Sequence, residues 1–301
     1  MSERGGVLGK LRDMEKRATG KVSAPVDLSA PAPAQQIARV IQLPLWPEAV
    51  RGVPNGILRS ALFGAIRKGR RAYLKGAQIA AVDGVSIRYT GERLDQGDLD
   101  VWESVLHAVR AQEMGSQCRV TSYALLKLMG KTDTGKNRQT LHKRLTRLRA
   151  SAVEIRQGQY LYIGGLLAGA AKDEHTQEWV IEIDAKLRPL YARDQFTQID
   201  WDIRHALDGK PLAQWLHGFY ASHARPFPVR AETLLELSGS ENDEARSSRQ
   251  KLRKALDAVA EACKAHGERF GYQLEGDLVH VARTPSRSQQ NHLNKQKAKP
   301  K

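Results

Sequence analysis

Cysteine, aromatic residues and long apolar runs are scarce in this chain, and each scarcity closes off a class of protein. Only two cysteines, Cys118 and Cys263, occur in 301 residues. They lie far from any paired-ligand spacing, which argues against a disulfide framework or a zinc site. Cys263 continues a helical apolar stripe, where a small buried hydrophobe is expected. Aromatics make up 6% of a chain whose hydrophobic content is 41%, so the core should be built from Leu, Val and Ala. No stretch approaches the ~20 apolar residues of a membrane-spanning helix. The opening MSERGGVLGKLRDMEKR lacks the apolar stretch of a signal peptide, so a cytoplasmic protein without membrane contact is expected. Acidic residues are in deficit too: 33 Asp and Glu against 48 Lys and Arg leave a net charge of +15. Such an excess favours a polyanionic partner, and its clustering on helices favours nucleic acid over an acidic membrane.

What is present is a repeat. Val120 to Gly130 reads Val-Thr-Ser-Tyr-Ala-Leu-Leu-Lys-Leu-Met-Gly, and 109 residues later Val229 to Gly239 reads Val-Arg-Ala-Glu-Thr-Leu-Leu-Glu-Leu-Ser-Gly. Beyond each glycine, Arg138, Gln139, Leu141, Lys143 and Leu145 recur as Arg249, Gln250, Leu252, Lys254 and Leu256, now offset by 111. The slip falls in the connecting turn, where insertions are tolerated. A short helix, a turn and a basic second helix, present twice, point to two helix-turn-helix units that read DNA. In the first basic helix Leu141, Leu145, Leu148 and Ala152 form a buried stripe, which turns Lys136, Gln139, Lys143, Thr146 and Arg147 outward. In the second, Leu252, Leu256, Val259 and Cys263 do the same, leaving Ser247, Gln250 and Lys254 outward with Arg246 and Arg253 beside them. A glutamine amide, as at Gln139 and Gln250, can bond adenine bidentately, while Lys and Arg contact guanine or hold phosphates.

Around these helices, Ile79 to Tyr89 alternates as strands do, with a turn at Asp83-Gly84. Leu99, Trp102, Val105, Leu106 and Val109 have helical spacing, and Pro211 can open a helix carrying Leu212, Trp215, Leu216, Phe219 and Tyr220. Strand-like segments at Val153 to Arg156, Tyr160 to Ile163 and Trp179 to Ile183 follow the first basic helix. Phe270 to Leu274 and Leu278 to Val281 flank Glu-Gly-Asp after the second, as a hairpin. Helix, helix, basic helix, hairpin is the order of a winged helix. A linker is expected near Tyr191 to His205. The Ser/Ala/Pro-rich start and the Ser-, Gln- and Lys-rich end from Pro285 read as flexible tails.

Enzyme motifs fail on inspection. Gly130-Lys-Thr-Asp-Thr-Gly135-Lys136-Asn137 is one residue short of a phosphate-binding loop, has Asn137 in place of the magnesium-binding hydroxyl, and follows a helix rather than a strand. It reads as the turn of the first unit. Asp95, Asp98 and Asp100 precede a helix, where acids cap free amides, so capping is favoured over metal binding. Neither catalysis nor a cofactor is expected. Gln42-Leu43-Pro44-Leu45-Trp46 admits two readings. It can dock as a peptide with leucine and tryptophan in apolar pockets, like the Gln-Leu-x-Leu-aromatic segments that bind the bacterial sliding clamp. Alternatively, Leu45 and Trp46 pack under the first domain.

Leu45-Trp46-Pro47-Glu48, Val53-Pro54-Asn55 and Arg59-Ser60-Ala61-Leu62-Phe63 form an opening signature. It is joined by Ile87-Arg-Tyr89-Thr90-Gly91, Leu94, Asp98-Leu99, Val101-Trp102 and Asp277-Leu278-Val279-His280. In these blocks the chain resembles the TrfA-type replication initiators of broad-host-range plasmids over roughly Leu45 to Arg283. The resemblance implies binding to directly repeated origin sequences (iterons), opening of adjacent AT-rich DNA and contact with its single strands. It also implies copy-number control and recruitment of the host sliding clamp, host initiator and replicative helicase; a homodimer and a monomer both stay open as the active form. In the family the clamp-binding segment stands apart from the Trp-Pro-Asp signature, whereas here Trp46 would serve in both.

The expectation is therefore an α+β protein of two tandem winged-helix domains with flexible ends. Residues 1–40 are a tether, 41–195 the first domain with the clamp-like segment at 42–46, 200–284 the second, and 285–301 a basic tail. Lys136, Asn137, Gln139, Thr140, Lys143 and Arg147 would engage one major groove. Arg246, Ser247, Gln250, Arg253 and Lys254 would engage the next. A transcriptional repressor with the same two domains is the alternative, separable by plasmid replication in trans.

Overall fold

The computed structural model describes residues 42–66, 69, 71–82, 84–111, 117–192, 194–240 and 245–297. An extended segment leads into β1 (Val50–Pro54), a single helical turn α1 (Asn55–Leu58) and β2 (Phe63–Gly64). The hairpin foreseen around Asp83-Gly84 is longer than its alternation suggested: β3 (Tyr73–Ile79) pairs antiparallel with β4 (Val85–Glu92). Gly84 turns the chain at φ +84°, a conformation that costs glycine no Cβ clash; Asp83 lies outside the described residues. After β5 (Leu94–Asp95), helix α2 (Gln96–Val109) buries Leu99, Trp102, Val105, Leu106 and Val109, the residues whose spacing foretold it. Its start is a reciprocal capping box: Asp95 accepts from Asp98 N, and Asp98 accepts from Asp95 N, both at 2.9 Å.

The first repeat follows as β6 (Gln117–Thr121), α3 (Ser122–Leu128) and α4 (Gly135–Ala150). Between the helices Gly130 sits at φ +62°, with its N–H bonded to Lys127 O at 3.0 Å and the Lys131 N–H to Leu126 O at 2.8 Å. That pair of bonds closes a helix through a left-handed residue. Thr134 caps α4 by accepting from Asn137 N. Leu141, Leu145 and Leu148 are buried, but Ala152 is not. Ser151 turns to an extended ψ of 150°, which ends the helix and places Ala152 at the exposed start of β7.

Next come β7 (Ala152–Gln157), β8 (Tyr160–Gly164), β9 (Gly169–Lys172), β10 (Glu178–Glu182), a 3-10 helix over Ala185–Tyr191 and β11 (Phe196–Asp200). The β7–β8 hairpin does not return to the strand before α3. It extends the β3–β4 pair into a sheet of order β3-β4-β7-β8, in which Ile87 faces Ile155 and Tyr89 faces Val153. All four are buried, so one apolar face fixes the register. The β9–β10 hairpin joins β6 instead, in the order β6-β10-β9.

The stretch expected as a linker is ordered structure. β11 runs antiparallel to β1, from Val50 opposite Asp200 to Pro54 opposite Phe196, and α5 (Trp201–Ala206) buries Trp201, Ile203 and Arg204. Helix α6 (Pro211–Ala221) has its proline in the first turn, as foreseen. The second repeat is β12 (Val229–Arg230), α7 (Ala231–Leu237), α8 (Ala245–Ala265), β13 (Phe270–Glu275) and β14 (Leu278–Arg283), with sheet order β12-β14-β13. In both repeats the strand before the short helix pairs with the last strand of a later hairpin. Burial pushes the Cys263 thiol up to about 12, as suits a packing residue on α8. The tail does not stay irregular: α9 (Arg287–Lys297) is helical, and Gln289 anchors it by donating to Ala221 O at 2.7 Å and accepting from Arg283 at 3.0 Å. The tether over residues 1–40 lies outside the described residues, as do 298–301.

Buried side chains form two clusters, one around α2, α3, α4 and the β-strands before Asp200, the other around α6, α7 and α8. Arg204 lies between them, 1% exposed, donating to Asp100 at 2.7 Å and to the backbone oxygen of Gln96 at 3.1 Å. Burial raises the nearby Glu103 carboxyl to about 7. Burial, reinforced by Arg204 and Arg283, depresses His217 to about 3, and burial with Arg59 depresses His223 to about 4.

These shifts make the stability of the fold depend on pH. Between pH 6.5 and 4.5 the unfolded chain protonates both histidines while the folded chain leaves them neutral, which costs stability as pH falls. Glu103 acts oppositely, because the folded state holds its proton through that window. The balance is about one extra proton bound by the unfolded state, so stability falls by roughly 2–3 kcal/mol from pH 6.5 to 4.5. Urea titrations across that range test this, and His217→Leu should flatten the slope. A stability that rises on acidification contradicts the assignment.

Candidate nucleic-acid interface

The outward face of α4 is built by its buried leucines: with Leu141, Leu145 and Leu148 inside, Lys136, Gln139 and Lys143 stand on the opposite side and are exposed. Thr140 is exposed too, its hydroxyl donating back to Lys136 O at 2.9 Å. Asn137 is half-buried and braces the turn by donating to Thr132 O at 2.8 Å.

Arg147 departs from expectation. It is turned off the face that carries Lys136, Gln139 and Lys143, donating to Asp98 at 2.6 Å and to Glu92 at 3.0 Å. Arg144 sits beside it, donating to Asp95 at 2.6 Å and Asp98 at 3.0 Å, and Arg71 reaches the same two acids. Burial alone would raise the Asp95 carboxyl, but the Arg144 and Arg71 guanidiniums outweigh it and hold it well below the usual carboxylate range. The aspartates that cap α2 therefore also grip α4. Asp100 does neither and pairs with Arg204. Sequence reasoning saw the caps and missed the grip; its only trace was two arginines three apart on the flank of the leucine stripe.

On α8, Gln250, Arg253 and Lys254 are exposed and Ser247 is half-buried. Arg246 belongs to the helix, while its side chain lies outside the described residues. Arg249 is committed to the backbone oxygen of Gly276, tying the helix to the β13–β14 turn. At the positions equivalent to Arg144 and Arg147, α8 carries Ala255 and Ala258, both buried. Alanine brings no charge to either position; a cavity of about 500 Å³ opens there, lined by Leu212, Ala213, Lys251, Lys254, Ala255 and Ala258 among others. The hairpin tips are acidic, with Asp173, Glu174 and Glu178 on one and Glu275 and Asp277 on the other. Attraction for phosphate is thus concentrated on the helices.

The Gln42–Trp46 segment is packed into the fold. Leu43 and Trp46 are 3% and 4% exposed, and only Leu45, at 69%, faces solvent. The Trp46 indole lies against Gly52, where a Cβ would come within 2.8 Å, and its N–H donates to His107 Nδ1 at 3.1 Å. Gln42 donates to Arg110 O at 3.4 Å. A docking peptide would present the leucine and aromatic that here pack inward, Leu43 and Trp46, while Leu45, expected to pack beside Trp46, is exposed.

Among the described residues, no helix is long and apolar enough to cross a membrane. A model of the TrfA protein family matches residues 33–283. The chain belongs to that family. It is 28% identical over 249 residues to the plasmid replication initiator protein TrfA of Escherichia coli, an alignment that covers 79% of this chain and 63% of that protein. The match thus spans just under two thirds of the relative. Among solved structures, domains 2 and 3 of RctB superpose with a TM-score of 0.51 at 14% identity, covering 76% of this chain and 96% of that one. The Pi initiator protein, solved in complex with iteron DNA, gives a TM-score of 0.44 at 13% identity, with 62% of this chain and 91% of that one covered. The RctB likeness extends to the mixed helix-and-strand fold.

Proposed function

We propose that this chain initiates plasmid replication by binding directly repeated origin DNA through two winged-helix domains in tandem, within residues 41–195 and 200–284. Membership of the TrfA family supports initiation. The observation that carries the two-domain reading is the doubled order of short strand, short helix, glycine turn and basic helix, with the short strand paired to the last strand of a later hairpin in both copies. In the first domain the wing is the β9–β10 hairpin, and β7–β8 is an insertion that joins another sheet.

Each basic helix presents a glutamine and a lysine four residues apart, Gln139 and Lys143 or Gln250 and Lys254, one turn along the exposed face. A helix so equipped can lay an amide on an adenine edge and an ammonium on guanine or phosphate. The faces differ, with Lys136 on one where the other has Ser247, and Arg253 on the other where the first has His142, which suits an asymmetric repeated site better than a palindrome. Opening of AT-rich DNA, capture of its single strands and recruitment of host replication proteins belong to this proposal through the family. Clamp binding through residues 42–46 does not, because that segment is part of the core.

The test is replication. Supplied in trans, the chain should maintain a plasmid that carries the origin but lacks its own initiator gene. Promoter occupancy without maintenance would favour the repressor reading instead.

A further inference from the structure

Gly130 and Gly239 occupy the same place in the two repeats, and each turn is covered by residues that lie in the other proposed domain, outside its repeat. On the first turn, the Trp201 indole N–H donates to Leu128 O at 2.8 Å and Lys131 pairs with Asp208. The His205 ring fills the space beside Gly130, where a Cβ would lie 2.7 Å from the ring Cε1. These partners come from α5 and the turn after it. On the second turn, Ala65 N–H donates to Ser238 O at 2.7 Å, Arg93 Nη2 donates to Gly239 O at 2.8 Å, and Ala61 would lie 3.1 Å from a Cβ on Gly239. These partners all precede α2.

Arg93 links further. Its own carbonyl accepts from Arg71 at 2.8 Å, and two residues on, Asp95 caps α2 and takes the Arg144 guanidinium of α4 at 2.6 Å. The path from the turn before α8 to the side of α4 is therefore one side chain, two residues of backbone and one ion pair. Few rotatable bonds intervene, and the planar guanidinium holds its direction better than an ammonium would.

Resting on the tandem DNA-binding reading, we infer that this reciprocal clasp sets the separation and rotation of the two reading helices, with Arg93 as its positioning residue. Two domains on a free linker would accept many spacings of their half-sites. Clasped domains accept one, because each inserted base pair shifts the second half-site by about 3.4 Å and rotates it by roughly 35°. The clasp thus makes spacing, as well as base sequence, a determinant of the site.

The test uses the full chain and duplexes that it selects from a random-sequence pool. Footprinting locates the two protected stretches, and one or two base pairs are then inserted between them. The wild type should lose about tenfold or more in affinity per insertion. Arg93→Met should bind the parent duplex within a few-fold of wild type, yet its insertion penalty should shrink to about threefold or less, with Arg93→Lys between the two. A merely destabilising change would weaken all duplexes alike and leave that ratio intact. An unchanged ratio in folded Arg93→Met overturns the inference. If that variant fails to fold, Asp208→Asn, which opens the other turn, must shrink the penalty or the inference falls. A wild type that protects no paired stretches overturns the tandem reading itself, an outcome distinct from intact pairing with an unchanged ratio.

Discussion

Replacing Lys143 and Lys254 together by alanine weakens binding to duplex origin DNA by about a hundredfold at physiological salt and lowers the slope of log affinity against log salt by about two. Both lysines are exposed, occupy the same position on their helices and have the buried leucine stripe directly behind them. Each neutralised phosphate releases counterions, so the loss of two contacts appears in the salt slope as well as in affinity. Arg147→Ala supplies the contrast. Its charge is already matched by Asp98 and Glu92, so the slope should stay at the wild-type value. Titrations at several salt concentrations decide the matter. Wild-type affinity and slope in the double-lysine variant would show that the reading face lies elsewhere.

Asp98→Ala should cost the fold roughly 3–5 kcal/mol, because it leaves half-buried arginines facing one another without their shared carboxylate. Asp98 is fully buried, accepts from Arg147 at 2.6 Å and Arg144 at 3.0 Å, and closes the capping box on α2. Asp98→Asn keeps an acceptor for the cap and should lose less. Equilibrium denaturation measures both, and a loss below about 1 kcal/mol for Asp98→Ala would mean that the cluster orients α4 without stabilising it. The second repeat predicts the same from the other side: with Ala255 and Ala258 at the equivalent positions, it needs no such cluster to hold α8.

Much of the fold was legible because it rests on local periodicity. The stripes on α2, α4, α6 and α8 and the hairpin at Gly276 all declare themselves within a few residues. The two turn glycines did so through the 109-residue offset, and their matching φ of +62° confirms that the repeat is structural. Where the reading failed, the deciding partner lay outside the segment itself. Gly169-Ala-Ala-Lys172 lacks β-branched residues and becomes a strand because β10 lies alongside it. The stretch after Tyr191 looked like a linker but contains β11, which has β1 to pair with. The tail helix is tethered to Ala221 by Gln289.

The candidate site divides in the same way. Lys136, Gln139, Lys143, Gln250, Arg253 and Lys254 could be placed on an outer face from sequence, since helical geometry alone turns them away from the leucines. Arg147 could not, because a flank position is settled by what packs beside it, here Asp98 on another helix. Nor could the fate of Trp46, which the pentapeptide offered to a partner and the fold took into its own core.

By itself, then, the amino-acid sequence determined the two basic helices, their buried stripes, the glycine turns before them and the polyanion they suit. Those are consequences of spacing, side-chain size and charge along a few turns of chain. Tertiary structure alone decided which arginines are tied into ion pairs, which hairpin returns to each repeat and how the two basic helices are set against each other. Those depend on desolvated contacts between residues far apart along the chain, from Arg147 with Asp98 to Arg204 with Asp100 and Arg93 with Gly239, whose strength exists only once water has been excluded around them.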